Sequence, residues 1–106
     1  MENQSIIIQT TTSTDEEAKL IAQHLVKESL AACIHIYPVT SIYEWDKEIC
    51  ENEEFILSLK TTKSQKDEVF RQIKKLHSYE LPELIYFPIK GSQNYLRWII
   101  ENSNGS

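Results

Sequence analysis

His77, Tyr79, Glu80 and Glu83 crowd one short segment, His77-Ser78-Tyr79-Glu80-Leu81-Pro82-Glu83. An imidazole, a phenol and two carboxylates can all move protons, and the imidazole with the carboxylates can also hold a cation. Pro82 fixes the backbone between the two acids, so a solvated chain break is the plain alternative to a site. A second constellation is Cys33-Ile34-His35. On a strand, residues two apart point to one face. Thiol and imidazole are then half of a soft-metal site, or a nucleophile with a base, or simply a small core thiol beside a locally satisfied histidine. Glu48, Glu51, Glu53 and Glu54 offer oxygen donors without the spacing of a calcium loop, and read as a solvated hairpin tip. No glycine-rich phosphate loop or nucleophile elbow is present. No catalytic residue is assigned, and an enzyme is not expected.

The elements that must position these groups follow from periodicity. Ile6–Ile8 and the threonines behind it read as a β-branched strand. Ser13 with Glu16, or Thr14 with Glu17, fits a capping box for a helix over about Asp15 to Leu30, with Ala18, Ile21, Ala22 and Leu25 on its inner stripe and His24 on its exposed side. Ala31 to Tyr37 is a second strand, stopped by Pro38. Ser41 to Trp45 and Phe55 to Leu59 alternate around a turn at Asp46–Glu48, as a hairpin does. A second helix starts near Thr61–Ser64, carries Val69, Phe70, Ile73 and Leu76 on one stripe, and ends at His77. Leu84–Phe87 is a short apolar run that reads as a strand covered on both faces. Asn94 to Glu101 is a short last helix, and residues 102–106 read as a frayed tail.

This order is that of an α+β, ferredoxin-like βαββαβ sandwich with a long hairpin, in a single domain spanning residues 1–106. Such a fold covers one sheet face with helices and leaves the other bare, which points to self-association. Tyr43 and Trp45, far out on the hairpin, need covering too. At 106 residues the chain is 41% apolar and 25% charged, with net charge −5. That balance argues against nucleic acid as a partner. The basic residues Lys63, Lys66, Arg71, Lys74 and Lys75 are interrupted by Asp67 and Glu68, as on a solvated helix face. No apolar run approaches a membrane span, and Met1-Glu2-Asn3-Gln4 is not a basic leader, so the expected location is the cytoplasm with no membrane contact. Two cysteines, Cys33 and Cys50, are too few to staple a secreted domain.

Five segments in order carry a resemblance. They are Leu30-Ala31-Ala32-Cys33 with Ile36 and Pro38, Ser41-Ile42-Tyr43-Glu44-Trp45, Leu59-Lys60-Thr61-Thr62, His77 to Glu83, and Gly91-Ser92-Gln93-Asn94-Tyr95-Leu96-Arg97-Trp98-Ile99. Together they resemble the CutA divalent-cation-tolerance family. The resemblance implies a tight cytoplasmic homotrimer whose hairpin strands pair across subunits, linked to copper and other divalent cations and with no established reaction. It implies a metal site with His77 and Cys33 as soft ligands and Glu80 or Glu83 as oxygen donors. By topology, the helix end at His77 lies over the rim of the sheet, so a polar cleft of His77, Tyr79, Glu80 and Glu83 is expected close to Cys33 and Lys60. Tyr43, Trp45, Tyr95 and Trp98 are expected at the trimer interface. A different class of function, by fold analogy alone, is a trimeric signalling or scaffold module of the PII type that binds a small ligand between subunits. A third, acid–base catalysis by His77, Tyr79 and Glu80, ranks last. The chain departs from the family where His-Pro-Tyr-Glu becomes His77-Ser78-Tyr79-Glu80. That frees a backbone N–H and is expected to loosen the approach to the site. The family's Gly-Lys turn becomes Lys47-Glu48, which calls for a turn that tolerates side chains. Some members also carry a further Cys on the first strand, or a second His where Leu76 stands, so a copper site is expected to be thinner here.

Overall fold

A computed structural model describes residues 3–105. Strand β1 (Ser5–Thr12) leads to helix α1 (Asp15–Lys27), then β2 (Cys33–Trp45) and β3 (Glu48–Thr62). A single 3₁₀ turn, Lys63–Gln65, precedes α2 (Lys66–Leu76), followed by β4 (Ile85–Pro88) and α3 (Gln93–Asn102). The four strands are antiparallel neighbours in the order β2-β3-β1-β4. β1 thus lies between β3 and β4, and the βαββαβ succession is as expected.

Alternation sorts the sheet into two faces. Ile6, Ile8, Leu57 and Leu59 are fully buried on one of them, with Ile34 and Ile36 packed against the core. From the helices come Ala18, Ile21, Ala22 and Leu25 of α1 and Val69 and Ile73 of α2. α1 begins at Thr14, whose hydroxyl accepts from the Glu17 N–H at 3.1 Å, satisfying one orphan donor of the first turn. The register places Cys33, Lys60, Ile7 and Phe87 in one row, and His35, Ser58, Gln9 and Ile85 in another, on the opposite face.

Several expectations are corrected. Pro38 does not stop β2; it pairs opposite Phe55 and the strand runs on to Trp45. β2 is an edge strand, where a missing N–H breaks no ladder bond on the open side. β4 is not covered on both faces, since all four of its residues are exposed. Leu76 lies off the buried stripe at 41% exposure. His24 is half-buried, and its Nε2 meets Gln72 Oε1 at 3.0 Å, joining α1 to α2. The tail is not frayed over its described part. Ser103 is buried, and the Gly105 N–H donates to the Ser29 carbonyl at 2.8 Å.

The hairpin turn is also unlike the expectation. Asp46 and Lys47 have φ of +52° and +66°, so both central residues take the left-handed conformation of a primed hairpin turn. That conformation disfavours side chains rather than tolerating them. Beyond Phe55, β3 has no partner but β2, so Val39–Trp45 and Glu48–Glu54 form a two-stranded arm. The molecule measures 47 × 24 × 20 Å. The arm exposes Ile42, Tyr43, Trp45 and Ile49.

Candidate functional site

The chemistry-bearing residues fall into two separate groups. The first is built around His77, the residue that ends α2. Its ring is buried between β1 and the following loop. Nε2 lies 2.6 Å from the Thr11 carbonyl oxygen, and the Tyr79 N–H points at Nδ1 from 3.0 Å. A carbonyl can only accept and an amide N–H can only donate. His77 is therefore the neutral ring with its proton on Nε2, and its one lone pair is already used. Glu17 Oε2 also lies 3.5 Å from Nδ1, but an ion pair there would need a proton where the ring accepts from Tyr79. The Glu17 carboxylate is instead satisfied by Ser78, through its N–H at 2.8 Å and its hydroxyl at 2.9 Å.

Tyr79 completes this group. Its hydroxyl donates to Glu54 Oε2 at 2.7 Å, tying the loop to β3, and its ring lies against that of His77 at 4.9 Å. Burial first, and then the hydrogen bond and charge of Glu54, push the phenol up to about 12. It is therefore a protonated donor at neutral pH. Glu80 is exposed, and Glu83 accepts from the Gln9 side chain at 2.8 Å.

The second group lies on the sheet face opposite the α1–α2 core. Cys33 and Lys60 are cross-strand partners. His35 sits between them, with Nε2 3.8 Å from Cys33 Sγ and Nδ1 3.1 Å from Lys60 Nζ. An ammonium has only donors, so Lys60 donates into Nδ1 and the neutral ring carries its proton on Nε2, facing the sulfur. The sulfur–nitrogen separation is within the roughly 4.3 Å that one metal–thiolate and one metal–imidazole bond together span. These two side chains fit a soft or borderline ion as a pair.

The expected ligand set of His77, Cys33, Glu80 and Glu83 is not assembled. Among the described residues no three His, Cys, Asp or Glu side chains converge as a metal cluster. His77 is held by Thr11, whose row is four residues along β1 from the row of Cys33 and Lys60, about 13 Å along the strand. Lys60 therefore lines the Cys33 group and not a cleft with Tyr79. Glu17 and Glu54 were the partners not foreseen, whereas His35 stood in the Cys33-Ile34-His35 constellation. Glu17 reads in sequence only as a capping acid.

A βαββαβ sheet with a projecting arm and a buried, hydrogen-bonded histidine loop defines a small α+β class that comparison with known proteins narrows. The family model for the CutA1 divalent ion tolerance protein matches residues 6–102. The chain is 40% identical over 99 residues to the divalent-cation tolerance protein CutA of Thermus thermophilus, covering 92% of this chain and 96% of that one. It is 36% identical to the chloroplastic CutA of Arabidopsis thaliana, covering 90% of this chain but about half (53%) of that longer protein. The crystal structure of CutA1 from Oryza sativa superposes with a TM-score of 0.92 at 34% identity, covering 97% and 96% of the two chains. This chain belongs to the CutA1 divalent ion tolerance family.

Proposed function

We propose that the protein is a homotrimeric cytoplasmic member of this family that acts in tolerance to divalent cations by binding copper, or a similar thiophilic ion, through Cys33 and His35. The observation that carries this reading is the 3.8 Å approach of Cys33 Sγ to His35 Nε2 on the face opposite that core. Thiolate and imidazole are the donors such ions prefer. Bound there, a metal would be held rather than used for a reaction. Lys60 works against loading, because its ammonium keeps the proton on the nitrogen that must become a ligand. Binding is therefore weak in a single chain and needs further donors. Assembly is supported by the exposed arm with Tyr43 and Trp45, and by the exposed, stacked Tyr95–Trp98 pair. Two unpaired thiols support a reducing compartment.

The test is copper titration of the reduced, metal-stripped protein by calorimetry, beside Cys33→Ser and His35→Ala. Both variants should lose the site. Unchanged stoichiometry and affinity in both would place binding elsewhere. Light scattering should give three subunits, and a monomeric mass at micromolar concentration would end the trimer reading.

A further inference from the structure

We propose that the cavity between α3 and the start of β1 binds a small anion that carries an apolar group. This site is independent of Cys33 and His35. The cavity has a volume of about 710 Å³, within the range of small-molecule sites. One wall is a stripe of α3, where Gln93, Leu96, Arg97 and Ile100 recur at helical spacing. The other walls are the turn after β4, which brings Ile89 and Lys90, and the chain entering β1.

The charge of this lining is opposite to that of the chain. The protein carries 16 acidic and 11 basic side chains, yet among the described residues the cavity is lined by Lys90 and Arg97 and by no carboxylate. Neither cation has an ion-pair or hydrogen-bond partner among the described residues. Two uncompensated cations at one concave site raise the local potential, and low-dielectric walls focus it. An anion relieves that repulsion. The apolar side of the ligand follows from Ile89, Leu96 and Ile100, which would stay wet against a bare phosphate. No glycine-rich loop offers a cradle of N–H groups for phosphate either. The chemistry selected is a carboxylate, or a similar monoanion, with a short hydrocarbon body.

The experiment uses the full assembled protein labelled with ¹⁵N and octanoate as the probe, with octanol and inorganic phosphate as separate arms. Octanoate should give saturable amide shifts confined to the chain entering β1, the Ile89–Gly91 turn and α3, and should bind more tightly than either control. Removing both charges with Lys90→Gln and Arg97→Gln should weaken octanoate by about tenfold or more, the scale for losing a charged hydrogen bond. Arg97→Lys should keep most of the affinity. Both positions are exposed, so the variants retain the core. Absence of saturable shifts in this region, equal binding of octanol or phosphate, or an uncharged double variant that binds as the parent does would each overturn the proposal.

Discussion

Ser78 donates twice to Glu17, its N–H to Oε2 at 2.8 Å and its hydroxyl to Oε1 at 2.9 Å. Where the family often has proline, the sequence suggested a looser loop. The freed N–H is instead half of a clamp from the α2–β4 loop to the first turn of α1. Hydrogen bonds to a charged acceptor contribute about 1.5–3 kcal/mol, and Glu17 is largely shielded from water. Glu17→Ala should therefore lower stability by about 2 kcal/mol, and Ser78→Ala by roughly half as much. Denaturant midpoints of the two variants check this, and parent-like midpoints in both would show that the clamp is idle.

His77 should prove structural. His77→Ala empties a buried position and leaves the Thr11 carbonyl and the Tyr79 N–H without partners. A cost of about 3 kcal/mol follows from cavity and unpaired groups together. Copper stoichiometry should stay that of the parent. A variant that melts normally but no longer takes up copper would return His77 to the metal site.

Tyr79 sets an alkaline limit. Its phenol is raised to about 12 by burial and by Glu54, against about 10 in an unfolded chain. Between those values the folded state holds a proton that the unfolded state has lost. This contribution is complete below about pH 10 and disappears as pH rises towards 12. In Tyr79→Phe, stability should fall less steeply across that window, and the last-titrating phenol should vanish from the ultraviolet titration. A parent whose tyrosines all ionise near pH 10 would contradict it.

Lys47 pays a conformational penalty at φ +66°. The left-handed region costs an L-residue about 1–2 kcal/mol, and glycine is free of most of that. Lys47→Gly should raise the melting temperature, with a gain of about 1 kcal/mol after the extra chain entropy of glycine is subtracted. A lower melting temperature would mean that Lys47 makes a contact worth more than its strain.

Patterns within one element were legible. The β-branched run Ile6–Ile8, the α1 stripe from Ala18 to Leu25, and the hairpin alternation are local consequences of side-chain period, and each element formed where its pattern lies. Less legible were features decided by what lies beside an element. Pro38 reads as a stop until β2 is known to be an edge. Ile85–Phe87 reads as buried until β4 is seen at the opposite edge with no further strand. The candidate site shows the same division. Cys33 and His35 share a face by spacing alone, and they do meet. His77 is settled by Thr11, 66 residues earlier, and no periodicity announces which nitrogen that carbonyl will engage.

The projecting arm is also a ruler. From Val39 to Trp45 it extends about 20 Å past the last residue that β1 supports. Whatever Ile42, Trp45 and Ile49 touch is held at that distance from the chain's own core. Each pair of residues removed from both strands would draw the tip in by about 7 Å and keep every side chain on its face. Removing one from each would turn the tip over, presenting Tyr43 and Cys50 where Ile42 and Glu51 had been. Arm length can therefore change between related chains only in even steps, or together with the surface that receives it.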